Sequence, residues 1–274
     1  MTDQFMGLVP ESAGQRVERL SRQIPLPVCA GKEVAEKLWD EPPPWNKVEW
    51  QARTNECAAH AGTTVVEVCG FQKTGKMIQR SRNYLYARAQ QFCGLYGDQG
   101  VTLGSIIEAL QKYGAPPEEL MPFNNAVNVK IPPGCDEEAA KCKVTATIDV
   151  HSQRYNAVRT IIGQNMGAVL MATEWPMRYS SGYIVEHYSP AGSSGHARAW
   201  IALSSKLDRQ GKPYVWCSNS HGADAQYHGY ELWSPDAINE HLSNDPWGST
   251  GVTGLSVIEP REVDWAGLDN PFLK

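Results

Sequence analysis

One cysteine in the stretch Gln51-Ala52-Arg53-Thr54-Asn55-Glu56-Cys57-Ala58-Ala59-His60-Ala61 most constrains the chain. Cys57 stands where a helix should begin: the residues from Ala58 to Glu67 contain no proline and are mostly small or apolar. A helix mouth, with unpaired N–H groups and the positive end of its dipole, favours thiolate over thiol. Six residues upstream, Gln51 offers a neutral amide able to donate to an oxyanion forming beside the sulfur. A lone cysteine is ordinarily a small buried hydrophobe, so the reading needs support elsewhere.

Two later segments supply it. Gly195-His196-Ala197-Arg198-Ala199-Trp200 is a glycine-led histidine entering an apolar strand-like run, and Tyr214-Val215-Trp216-Cys217-Ser218-Asn219-Ser220-His221-Gly222 is a β-rich run ending at Asn219. A sulfur nucleophile needs a base, and the base needs a third group to hold its ring in the productive tautomer. Cys57, His196 and Asn219 provide those groups in that order. The rival for a Cys/His set is a metal, but the chain has no Cys-x-x-Cys or His-x-x-x-His pair. His221 and His228 read as surface residues on a glycine-containing loop, and His60 as a packed helix residue.

With these motifs the chain resembles the papain-like cysteine peptidases. Gln51 and Cys57 have that family's spacing of oxyanion glutamine and nucleophile; Gly195-His196-Ala197 is similar to its histidine motif, and Asn219-Ser220-His221-Gly222 to its Asn-Ser-Trp-Gly motif. The intervening order agrees: Ser81 to Tyr86 resembles its second helix, Asp98-Gln99-Gly100 its glycine-walled cleft, Met121-Pro122-Phe123 its Tyr-Pro-Tyr-type turn, and Gly167 to Ala172 with Tyr179 to Tyr183 the strand and loop before the histidine. Departures are Ala58 and His221 where the family usually has tryptophan, and Asn55-Glu56 where it has Gly-Ser. Glu56 puts a carboxylate near the sulfur, and a negative charge there opposes thiolate formation.

The resemblance implies an α+β fold of two lobes, helical at about 57–123 and antiparallel β at about 144–274, with the active site in the cleft between them. Residues 1–25 read as an N-terminal arm, loose at first and then amphipathic over Gln15 to Gln23, and 26–274 as the peptidase domain. Twenty-odd residues are too few for an independently folded inhibitory prosegment, so another device must restrain an active enzyme. Implied further are catalytic Cys57, His196 and Asn219, an oxyanion hole including Gln51, substrate backbone against Gly100 and Gly195, and no metal or organic cofactor. The expected partner is a peptide or protein substrate cleaved at a peptide or isopeptide bond. A second reading, from another class, keeps the fold as a structural or binding component of a larger assembly such as a phage particle, in a virion, with its subunits as partners and with weak or no catalysis.

Composition bounds these readings. The 274 residues suffice for one large domain or two lobes. A net charge of −5 without a lysine–arginine run disfavours nucleic acid. No segment reaches the roughly 18 apolar residues of a bilayer span, and Met1 to Pro10 lacks the basic start and apolar stretch of a secretory signal. The expectation is therefore a cytoplasmic protein without a membrane partner, its seven cysteines mostly free thiols; Cys135 and Cys142 are close enough in sequence to pair under oxidation.

Overall fold

The computed structural model describes residues 8–26, 36–127 and 129–257. Cys29, the start of the N-terminal arm and the chain beyond Val257 lie outside the described residues. Helices α1 (Ala13–Ser21), α2 (Cys57–Thr74), α3 (Arg82–Cys93), α4 (Leu103–Lys112), α5 (Cys135–Ala139), α6 (Tyr155–Gly163) and α7 (Pro235–Ser243) accompany strands β1 (Leu38–Trp39), β2 (Cys142–Ile148), β3 (Ala168–Met177), β4 (Ile184–Val185), β5 (Pro190–Leu207), β6 (Pro213–Ser218), β7 (Tyr230–Trp233) and β8 (Thr250–Val257).

Helix α2 is the axis of the helical part. A helix apolar on all sides belongs in a core, and every residue from Cys57 to Cys69 is buried. Gly62 permits its close approach to α3 and α4, since a Cβ there would lie 2.5 Å from Ile106 and 3.0 Å from Leu85. Gly75, at φ +69°, ends it in the left-handed conformation that only glycine adopts cheaply. Ser81 and Thr102 cap α3 and α4 by accepting from Tyr84 N–H and Ser105 N–H. Between the helical and β parts lies α5, whose Cys135 and Ala139 pack with Tyr84 and Met121.

The sheet runs β2-β8-β3-β5-β6-β7-β4, with β1 added to β5. Its main pairings are antiparallel; β4–β7 and β1–β5 are parallel. Strand β5 lies between β3 and β6 and is buried from Gly195 to Ser204. Its inner face packs on α2, where Cys69 Sγ also meets Val252 O of β8 at 3.3 Å. A second apolar cluster behind the sheet joins α6 and α7 to Met171, Trp200 and Trp233.

Helix α1 falls on the part of the N-terminal arm that reads as amphipathic, Gln15 to Gln23. Within α1, Arg19 is 7% exposed and holds Glu11 in an ion pair at 3.0 Å and Thr250 Oγ1 at 2.7 Å. Ile24 N–H donates to Thr147 O at 2.9 Å, which ties the end of the arm to β2. Cys69, Cys93, Cys135, Cys142 and Cys217 all carry free thiols, so Cys135 and Cys142 are not joined. Among the described residues no helix is long and apolar enough to cross a membrane, and no group of His, Cys, Asp and Glu is arranged to hold a metal ion.

Candidate active site

Three elements bring the residues of interest together. Cys57 opens α2, His196 lies near the middle of the sheet in β5, and Asn219 follows the last residue of β6. Antiparallel pairing sets Ala199 opposite Ser218, so the chain leaving β6 passes beside His196. The Gln51 segment is laced to the same turn: Gln51 N–H donates to Ser220 O at 2.8 Å, and Ser220 Oγ donates to Gln51 Oε1 at 2.5 Å. Gln51 Nε2 donates to Thr54 O at 2.9 Å, which orients the amide just ahead of α2.

His196 is fully buried, with Asn219 Oδ1 2.8 Å from its Nε2. The same oxygen accepts from Ser220 N–H at 2.7 Å, while Asn219 Nδ2 donates to Glu231 Oε1 at 3.0 Å. With the oxygen end of the amide thus turned to the ring, the imidazole carries its proton on Nε2 and keeps a lone pair on Nδ1. Nδ1 has no hydrogen-bond partner among the described residues. The sulfur lies against the next residue, Ala197 N–H pointing at Cys57 Sγ at 3.5 Å. Burial above all, then His221 and Arg198, holds the His196 pKa well below its ordinary value, against the hydrogen bond to Asn219. The imidazole is therefore neutral, with a lone pair on Nδ1.

His221 is not the surface residue expected from its loop. Its ring lies parallel to that of His196, 7° between planes and 4.3 Å between centroids, with Trp175 edge-on to it at 4.8 Å. Burial pushes its pKa down to about 4, so a neutral imidazole covers the His196–Asn219 bond. His228 is exposed. His60 is 1% exposed within α2 and edge-on to Phe123 at 5.0 Å.

Glu56 also departs from expectation. It is wholly buried and both carboxyl oxygens lack a partner among the described residues. Burial, reinforced by Asp98 and opposed by Arg82, pushes its pKa up to about 8. At neutral pH it is mostly uncharged, so the negative charge foreseen beside the sulfur is largely absent.

Gly100 sits at φ +80° with its N–H donating to Tyr86 Oη at 3.0 Å. A Cβ on Gly195 would lie 2.6 Å from Trp247 and 3.0 Å from Leu8. Leu8 fills the space between the two glycine-bearing segments, forming an antiparallel bridge to Gly195 and a parallel one to Val101; Val9 N–H donates to Val101 O at 3.1 Å. Cys57, His196 and Gln51 are all closed off from solvent with the arm in this place. Next to Gln51, a recess of about 440 Å³ is lined by Trp50, Arg53, Thr54, Asp98, Asn125 and Val127.

Sequence reasoning passed over Arg198 and Glu231. Both interrupt apolar strand segments, Ala197-Arg198-Ala199 and Tyr230-Glu231-Leu232, and opposite charges embedded in two buried strands are the signal that pairs them.

No protein-family model matches the sequence, and no curated protein matches it either. Solved structures do match in fold. Xylellain, a cysteine protease from Xylella fastidiosa, superposes with a TM-score of 0.67 at 17% identity, over 91% of this chain and 96% of that one. Procathepsin B S9 from Trypanosoma congolense gives 0.66 at 16%, over 92% and 87%. Bromelain from Ananas comosus in complex with the E64 inhibitor gives 0.58 at 19%, over 76% and 94%. The helical part built on α2, the antiparallel sheet centred on β5 and the cleft where they meet are thus the papain-like cysteine protease fold.

Proposed function

We propose that this protein is a cysteine peptidase that hydrolyses peptide or isopeptide bonds through Cys57, His196 and Asn219. One observation carries the reading: a buried histidine held by a carboxamide through one ring nitrogen, its other nitrogen unpartnered, adjoins a cysteine at the mouth of the longest helix.

His196 Nδ1 takes the Cys57 proton, and the thiolate attacks the substrate carbonyl carbon. The oxyanion is held by Cys57 N–H and a Gln51 Nε2 hydrogen. As the tetrahedral species collapses, the C–N bond breaks and the imidazolium gives its proton to the leaving amine. Water, deprotonated by the same Nδ1, then attacks the thioester; the C–S bond breaks and Cys57 regains its proton. Asn219 keeps the ring aligned without adding charge.

Substrate backbone would lie along Gly100 and Gly195, the place that Leu8 takes, with the recess beside Trp50 receiving its far side. We assign residues 26–274 to the peptidase domain and 1–25 to the arm, whose withdrawal admits substrate. No observation among the described residues favours a catalytically silent assembly component.

A thiol-directed epoxide or vinyl sulfone tests the assignment. Labelling at Cys57, located by mass spectrometry and abolished in His196→Ala, is expected; labelling there no faster than at Cys69 or Cys217 rejects it.

A further inference from the structure

Beneath the His196–Asn219 couple lies a charged pair that the mechanism above does not use. Glu231, in β7, is completely buried and its two oxygens receive four donors: Tyr179 Oη at 2.8 Å and Asn219 Nδ2 at 3.0 Å on Oε1, Arg198 Nη1 at 2.5 Å and Trp233 Nε1 at 2.9 Å on Oε2. Arg198, two residues along β5 from His196, is likewise held by Thr173 Oγ1 and flanked by the Trp175 and Trp233 rings, each 5.4 Å away. Cys217, His221 and His241 also face the pair.

The two ends of an asparagine side chain have nearly the same shape, so hydrogen bonding must decide which end meets the imidazole. Turned over, Asn219 would set its NH2 against Ser220 N–H and the ring N–H, donor against donor, and its oxygen against the Glu231 carboxylate, acceptor against acceptor. Ser220 N–H marks the oxygen end, and Glu231 is the acceptor for the amide end. Arg198 makes a buried carboxylate tolerable at that spot. A neutral carboxamide touching the base is thereby backed by a fixed anion with its own counter-ion.

We infer that Glu231, held by Arg198, is a positioning residue: it locks the Asn219 amide with its oxygen toward His196 Nε2, and so leaves Nδ1 as the basic nitrogen beside Cys57. This rests on the Cys57–His196–Asn219 assignment and adds to it a residue that touches neither substrate nor sulfur.

The test compares paired variants of the full chain, because changing Glu231 alone strands the arginine in the core. Arg198→Met with Glu231→Leu removes both charges and the acceptor; Arg198→Met with Glu231→Gln removes the charges and keeps an acceptor oxygen. The readout is the rate of Cys57 alkylation by iodoacetamide from pH 5 to 9, with His196 ring 15N shifts reporting the tautomer and circular dichroism the fold. In the wild type, alkylation well below the pH of an ordinary thiol is expected; its absence overturns the triad assignment and this inference with it. Given that behaviour, the leucine pair is expected to lose roughly tenfold or more of the rate at pH 6, as when an outer partner of a functional histidine is removed, and to show a mixed tautomer. The glutamine pair recovers most of both. A folded leucine pair with the wild-type profile and tautomer overturns the inference, as does a glutamine pair no better than the leucine pair. If the leucine pair does not fold, the glutamine pair decides against Asn219→Ala: a rate above that variant by several-fold supports the lock, and an equal rate overturns it.

Discussion

Single side chains set the chemistry of the cleft, and the His221 ring shows how far one can depart from expectation. A lone histidine on a glycine-bearing loop reads as solvated, yet here it stacks on His196 and is half-buried. The hydrogen bond it covers is stronger where water is excluded. His221→Ala is therefore expected to slow vinyl sulfone labelling of Cys57 about tenfold, the equivalent of one ordinary hydrogen bond's net contribution, whereas His221→Trp, which restores an apolar cover, keeps most of the rate. An alanine variant with an unchanged rate would show that the stack does not shield the bond. At this scale the sequence was legible for a physical reason: the residues proposed as nucleophile, base and orienting carboxamide each sit beside a glycine, a helix start or a strand end, which leave marks in the chain. Glu231 and Arg198 left a weaker mark, because a buried ion pair is recognised only when both strands are seen side by side. The state of Glu56 was not legible at all, since sequence gives the carboxyl but not the burial that keeps it protonated.

Elements decide whether that chemistry is reachable. Gly195 and Gly100 were expected to receive an extended substrate, and the chain's own Leu8 and Val9 lie in that space with strand-like pairing. Helix α1 holds them there through Arg19, which bonds Glu11 and Thr250 under the cover of Gly104 and Gly248; a Cβ at either glycine would collide with this ion pair. On the proposed function Leu8 and Val9 take the place of substrate, and the sequence did not show it: nine helical residues carry too little signal to reveal what they cover. Arg19→Ala leaves Glu11 buried without its partner, a loss of about 3–5 kcal/mol for a buried pair, and the arm can relieve it by detaching while the rest stays folded. Labelling of Cys57 is therefore expected to accelerate several-fold in Arg19→Ala, with thermal unfolding of the remainder little changed. Slower labelling would mean that the arm supports the site rather than closing it.

Over the whole molecule, buried titratable groups make stability a function of pH with opposing limbs. Burial holds His221 and His241 down to about 4, and His60 and His196 well below their ordinary value. Up to and somewhat beyond 6.5 the unfolded chain binds more protons than the folded one, so stability rises with pH and the gain is complete about one unit above 6.5. Glu56 and Glu67 act the other way. Burial raises them to about 8 and about 7 from an ordinary 4.5, so the folded chain binds the extra protons and stability falls as pH climbs from 4.5 through those values. The four histidines outweigh Glu56 and Glu67 below 6.5; above it the histidine limb fades within about one unit and the glutamate limb continues. Urea denaturation should accordingly show maximal stability near pH 6 to 6.5 and a decline of about 2 kcal/mol by pH 8 from Glu56 alone, at about 1.4 kcal/mol per pH unit. Glu56→Gln keeps the shape and removes the titration, so its curve should run nearly flat from pH 7 to 8 while the acid limb stays as in the wild type. A variant that declines as steeply as the parent over that interval would place the ionising group elsewhere, and would return a charge to the carboxyl beside Cys57 at neutral pH.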